Sequence, residues 1–195
     1  MTHDHPTQVP PSQRPHRARR AMRVLVVDDV GRVLLFRDSD LGLDPVPHWW
    51  ITPGGGVDAG ERDEQAAVRE VAEETGFVVT EDELVGPLAS RTVVHGFSDV
   101  VTHQDELFWV VRVPAGEIDT AGHTDEERLT MTSHRWWTRA ELDAVDPDPL
   151  PTDGREPLWP SEIPRLLDLA DAWRPGAPAA RLDDVEESSV PVDAA

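Results

Sequence analysis

The chain has no cysteine and no tyrosine, and its 18 basic residues are all arginine, so lysine is missing too. Disulfides, thiolate metal sites and thiol nucleophiles are thereby excluded. Lysine Schiff bases, lysine phosphate clamps and tyrosine acids are excluded with them, which leaves carboxylates, histidine and arginine as the charged chemistry. No apolar run approaches the roughly 18–20 residues of a membrane span. The N-terminal arginines are not followed by the apolar core of a secretory signal, so the chain reads as cytoplasmic. Its net charge of −20 argues against a general nucleic-acid binder, which needs a cationic surface to displace counterions. At 195 residues it fits one domain with an adequate core and tails.

Residues 1–20 are polar and interrupted by proline and read as a disordered tail, in which His3, His5 and His16 form no metal site. Arg23–Val27 and Val33–Phe36 are apolar runs separated by a turn containing Gly31, a hairpin pattern. Pro45, Pro47 and His48-Trp49-Trp50 lead into Pro53-Gly54-Gly55-Gly56. A helix is expected over 63–75, stopped by Gly76. Strands are expected over 84–94 and 107–113, where Leu107, Trp109, Val111 and Val113 share a face. A last short strand fits 134–137. Thr138 and Glu141 make a capping box, and residues 161–174 an amphipathic helix. From Pro175 the chain is Pro, Ala and acid, so 176–195 reads as a second disordered tail around a domain of 21–175.

The segment from Gly55 to Phe77, GGVDAGERDEQAAVREVAEETGF, is the informative one. At 100° per residue, Glu70, Glu73 and Glu74 fall on about a 100° arc of one helix face. Ala67, Val68, Val71 and Ala72 take the neighbouring arc, which can pack on a sheet. Three carboxylates so close repel one another, and a divalent cation would neutralise them. All-oxygen ligation suits Mg²⁺ or Mn²⁺, which typically joins carboxylates to substrate phosphates. The preceding glycines let the backbone approach a ligand and offer a main-chain carbonyl as a further donor.

The segment resembles the Nudix box, Gly-x5-Glu-x7-Arg-Glu-hydrophobic-x-Glu-Glu-x-Gly-hydrophobic, at every required position. Trp50-Ile51-Thr52-Pro53-Gly54-Gly55 is similar to the lead-in common in that family. The resemblance implies an α/β/α sandwich around a mixed β-sheet and metal-dependent hydrolysis of a diphosphate linked to another moiety. It implies Glu70 and Glu74 as principal metal ligands, Glu73 as an additional one, and the Gly54 carbonyl as a donor. Glu61 would support the cluster, and Arg69 would orient the glutamates by charge-assisted hydrogen bonds. One more carboxylate is expected from the loop 122–132. Asp125, Glu126 and Glu127 are the candidates, with Asp105 and Glu106, which begin a strand, as alternatives; Glu127 is the one favoured.

Among Trp49, Trp50, Trp109, Trp136 and Trp137, most belong to the core, yet one stacking on a base is expected of a nucleotide pocket. Trp49 and Trp50, beside the glycine loop, are the candidates, with Gly55 giving the substrate access. Arg91, on the strand after the helix, is a candidate to reach a phosphate, with an exposed strand arginine as the equal alternative. His48, His95, His103, His123 and His134 read as turn or surface residues. The resemblance implies a small nucleotide substrate, and with no signature of the family's other substrate classes apparent the expectation is a (deoxy)nucleoside triphosphate as in MutT-like enzymes. ADP-ribose or a nucleotide sugar is the alternative, and a non-hydrolytic nucleotide-binding module the rival of another class. A diphosphate isomerase or an RNA 5′-end pyrophosphohydrolase is kept behind these, and a homodimer is left open.

Overall fold

The computed structural model describes residues 8–148 and 154–192. Strands β1 (His16–Val27) and β2 (Val33–Ser39) form the expected hairpin. The Asp28 carboxylate closes its turn by accepting from the backbone N–H of Val30 (3.1 Å) and Arg32 (2.7 Å). After β3 (His48–Ile51) comes α1 (Asp63–Thr75), which stops where Gly76 adopts a left-handed φ of 75°. Two long strands follow, β4 (Val85–Gly96) and β5 (Val101–Arg112), paired antiparallel. The rest is short: α2 (Glu127–Thr130), β6 (Ser133–Trp137), α3 (Arg139–Asp143), β7 (Leu158–Trp159), α4 (Ile163–Ala172), β8 (Ala180–Arg181) and β9 (Val185–Glu186).

Among the described residues the strands join in one mixed sheet, ordered β7-β3-β2-β1-β5-β4-β8, with β6 on β2 and β9 on β4. β1 and β5 run parallel over their whole length, from His16 opposite Val101 to Val27 opposite Arg112. The period of two along β1 divides its side chains between two cores. Met22, Val24 and Val26 meet Ala66, Ala67 and Val71 of α1 together with Trp109 and Val111. Leu25 and Val27 meet Phe108, Val110, Leu142, Ile163 and Leu166 on the side of α3 and α4. Fully burying each such aliphatic or aromatic side chain stabilises by roughly 1.5–3 kcal/mol, enough to fix α1 in register against the sheet. The result is the expected α/β/α arrangement. No helix among the described residues is long and apolar enough to cross a membrane.

The boundaries expected at 21 and 175 are corrected by the structure. β1 begins at His16, because β5 supplies a hydrogen-bonding edge for its polar half. β5 itself begins at Val101, which puts Asp105 and Glu106 inside it. At the other end β8 and β9 pair in parallel with β4. Arg14 is buried and donates to the carbonyls of Phe97 (3.0 Å) and Pro191 (2.9 Å), tying the two ends of the chain together. His3 and His5 lie outside the described residues.

Candidate active site

α1 carries the acidic face and the sheet packs it from below, so Glu70 and Glu74 are drawn inward while Glu73 stays at the rim. Glu70 is 7% and Glu74 2% exposed. Above them runs the glycine loop, which pairs with β1: Met22 N–H donates to Gly55 O and Val24 N–H to Pro53 O, both at 2.9 Å. A Cβ on Gly55 would lie 2.5 Å from Glu70 Oε1, and one on Gly54 would lie 2.1 Å from the Met22 carbonyl oxygen. Glycine is therefore required at 54, where the clash is with the β1 backbone and φ is +135°, while at 55 a side chain would push the Glu70 carboxylate out of its place. Gly54 N–H donates to Glu74 Oε2 at 3.2 Å.

Arg69 organises this face with all five of its N–H donors. Nε and Nη2 fork onto Glu61 (2.9 Å each), Nη1 reaches Glu70 (2.7 Å) and Glu73 (3.1 Å), and Nη2 also reaches Gly56 O (2.9 Å). The Glu61 hydrogen bonds, ahead of any other cause, raise the Arg69 pKa. The same contacts lower that of Glu61. Burial pushes Glu70 up, against the pull of Arg69, and the charges of Glu73 and Glu127 push further. Burial raises Glu74 well above the ordinary carboxylate value, and the Glu70 and Glu127 charges add to it. Two buried carboxylates, with the charge of Glu70 further disfavouring that of Glu74, make a site that favours an added cation.

Glu127 opens α2, is half-buried, and accepts from the Thr124 N–H at 2.7 Å. Its charge acts on both Glu70 and Glu74. Glu126 acts instead on Asp38, and Asp125 is fully exposed and paired with Arg128 at 3.0 Å. The structure thus brings Glu61, Arg69, Glu70, Glu73, Glu74, Glu127 and the Gly54–Gly55 loop together. The donors are all oxygen, which fits a hard divalent ion. Among the described residues no three of His, Asp or Glu are gathered as a closed metal cage. Glu70 is turned to Arg69 and Glu74 to the Gly54 N–H.

Three expected substrate contacts are not where the sequence put them. Arg91 is 1% exposed and saturated by carboxylates: Glu106 Oε2 at 2.7 Å, both oxygens of Glu187 at 2.7 Å, and Glu162 at 3.3 Å. A strand arginine facing the interior must be neutralised there, and it cannot reach a phosphate. Trp49 is buried, its ring stacked on Trp159 with centroids 4.3 Å apart, so no base can stack on it. Trp50 points to the α4 side, where its Nε1–H donates to Glu156 at 3.0 Å and its ring meets Trp137 edge-on. Gly55 serves Glu70 before any substrate. Two histidines read as surface residues are also buried. His123 Nε2 donates to the Glu74 carbonyl at 2.9 Å, docking the loop that bears Glu127 onto α1. His95 Nδ1 donates to the Glu187 carbonyl at 2.8 Å.

Arg23 is the residue that sequence reasoning missed. It sits in what reads as an apolar run, yet its Nη1 donates to Gly54 O at 3.0 Å and its Nε to Glu106 at 2.9 Å. The signal was present: an arginine between Met22 and Val24 at the start of a buried strand has to find an internal partner. Asp38 also lies near this site, its pKa raised by burial against the opposing pull of the Arg23 charge.

A model of the NUDIX domain family matches residues 17–158. A Bacillus subtilis (strain 168) protein named "Putative 8-oxo-dGTP diphosphatase" is 44% identical over 54 residues, 28% of this chain and 32% of that protein, so the match spans about a third of the relative. Among solved structures, the Escherichia coli ORF135 protein aligns at 25% identity and a TM-score of 0.48 over 87% of this chain and 100% of that one. A MutT protein from Methanosarcina mazei Go1 aligns at 18% and 0.45 over 69% and 85%. A Caenorhabditis elegans Ap4A hydrolase aligns at 19% and 0.45 over 80% and 98%.

Proposed function

This chain belongs to the NUDIX domain family, and on that footing we propose that it is a metal-dependent pyrophosphohydrolase cutting a small nucleotide at a diphosphate linkage. A (deoxy)nucleoside triphosphate is the leading substrate. The observation that carries the reading is the burial of Glu70 and Glu74 beneath the Gly54–Gly55 loop, where burial and the Glu70 charge both disfavour a second negative charge on Glu74 and so favour a neutralising cation.

Glu70, Glu74 and the Gly54 carbonyl would hold Mg²⁺ or Mn²⁺, with Glu73 joining from the rim. The bound ion supplies charge neutralisation of the diphosphate, polarisation of phosphorus and a more acidic water. The chain supplies the rest. Arg69 keeps three glutamates oriented through its five donors, which limits reorganisation as charge develops. Glu127, on a loop docked through His123, is the extra carboxylate for ligation or for taking the proton of the attacking water. With Arg91 internal, the polyanionic substrate must bring its counter-charge largely as a magnesium complex, since a net charge of −20 offers no long-range attraction.

The printed name of the Bacillus subtilis relative favours a triphosphate over ADP-ribose or a nucleotide sugar. A panel of nucleotides with Mg²⁺ or Mn²⁺ in ¹⁸O-labelled water tests the reading. Label on one phosphoryl product is expected, strictly dependent on the metal. Nucleotide binding without labelled product across the panel would leave a binding module.

A further inference from the structure

The Gly54 peptide is held from both sides: its N–H by Glu74, its carbonyl by Arg23. Arg23 is in turn held by Glu106, which also accepts from Gln104 Nε2 (2.7 Å) and Arg91 Nε (2.7 Å). Arg91 ends on the two oxygens of Glu187, beside β9. A continuous chain of charge-assisted hydrogen bonds therefore runs from the C-terminal segment to the carbonyl of Gly54, the residue whose N–H holds Glu74. Arg23, Arg91, Glu106 and Glu187 are all buried.

Holding a terminal segment in place does not need these charges. Backbone bonds already do so, from Leu182 N–H to Ser90 O, Glu187 N–H to Val94 O and Val190 N–H to Gly96 O, at 2.9–3.0 Å. Well-packed apolar side chains are often as stable as a buried ion pair or more so. What the ionic chain adds is direction, since a forked guanidinium fixes its acceptors in plane and angle. Arg23 occupies one side of the Gly54 carbonyl oxygen and leaves its second lone pair for another partner.

We propose that Glu187 is a positioning residue which, through Arg91, Glu106 and Arg23, fixes the Gly54 carbonyl beside Glu74, so that the C-terminal segment sets how well the site takes its divalent cation. This rests on the metal-site reading above. Glu187→Gln removes the charge but keeps the backbone bonds of the strand. Without that charge, one of the two Arg91 bonds to this side chain is lost, the guanidinium is neutralised by Glu106 and Glu162, and Glu106 loosens its hold on Arg23.

The test is Mn²⁺ binding to the full chain without nucleotide, followed by titration, alongside kcat, KM and melting temperature. Glu187→Gln should weaken Mn²⁺ binding by about tenfold and lower kcat by a similar factor, with KM for the metal–nucleotide complex nearly unchanged. Ser188→Ala is the control, because it removes a bond of the same segment, from Gly96 N–H to Ser188 Oγ (2.7 Å), outside the ionic chain. It should lower the melting temperature and leave Mn²⁺ affinity alone. Arg23→Lys keeps the charge but cannot fork between Glu106 and Gly54 O, and it should reproduce the Mn²⁺ defect; it carries the test if Glu187→Gln does not fold. Wild-type Mn²⁺ affinity in folded Glu187→Gln, or in Arg23→Lys, would overturn the proposal, as would an equal defect in Ser188→Ala. Glu74→Gln separates the two levels. If it leaves Mn²⁺ affinity intact, the metal site itself is wrong; if it abolishes binding while Glu187→Gln does not weaken it, only the relay falls.

Discussion

A single arginine or histidine decides more here than its exposure suggests. Glu106 shows it: burial alone would raise its pKa, yet the guanidiniums of Arg91 and Arg23 hold it well below the ordinary carboxylate range. His95 lies next to this group and has the opposite fate. Burial lowers its pKa from 6.5 to about 4, with Arg23 and Arg91 lowering it too and Glu106 opposing. Its Nδ1–H serves the Glu187 carbonyl, and its Nε2 is buried without a partner, which suits a neutral ring. In the unfolded chain His95 takes up a proton below pH 6.5, while in the folded chain it does so only near pH 4. The unfolded state binds more protons in that window, so stability falls as pH drops through it, by roughly 3 kcal/mol in all. His95→Gln, which can still donate to the Glu187 carbonyl, should remove that share. The difference in unfolding free energy between the two proteins should shrink or reverse in favour of His95→Gln as pH goes from 7 to 4. A pH-independent difference would mean that His95 titrates normally.

At the scale of elements, the terminal segments are parts of the sheet. Deleting residues 176–195 would strip Arg91 of Glu187, expose the β4 edge and free Arg14 from the Pro191 carbonyl. Removing one partner of a buried ion pair costs about 3–5 kcal/mol. For a domain of this size each kcal/mol is worth about 2–4 °C, so the truncated chain should melt on the order of 10 °C lower. A truncated chain melting within 2 °C of the full one would show that the C-terminal segment does not pack.

The same elements show what is legible in a sequence. α1 was readable to the residue, because its apolar arc and its left-handed stop are local signals. β8 and β9 were not. Ala180–Arg181 and Val185–Glu186 have no strand pattern of their own, and their order comes from β4, about ninety residues upstream. Residues 16–20 were hidden for the same reason, being polar side chains on a backbone that β5 supports. In the candidate site, the box glutamates, Glu61 and Arg69 were fixed by spacing. Glu127 was favoured on its place in the loop alone; the physical ground for that choice, the docking of the loop onto α1 through His123, is not local to the sequence. Arg91 and Arg23 were misread together, since which arginine reaches the glycine loop depends on how β1 and β4 flank β5.

For the whole molecule, Glu70 and Glu74 are two carboxylates whose burial disfavours their charge. A group kept charged against burial and a like neighbour destabilises the fold, so neutralising it should not harm folding. Glu70→Gln and Glu74→Gln should therefore melt at or above the wild-type temperature. Each should also lose about 10²-fold or more in turnover, in line with removing one strong electrostatic element from an active site. The most direct measurement is metal-dependent nucleotide hydrolysis by these two variants, with melting curves taken on the same samples. Folded, at least equally stable and nearly inactive proteins are the predicted result; near-wild-type hydrolysis in both would contradict the assignment of this site.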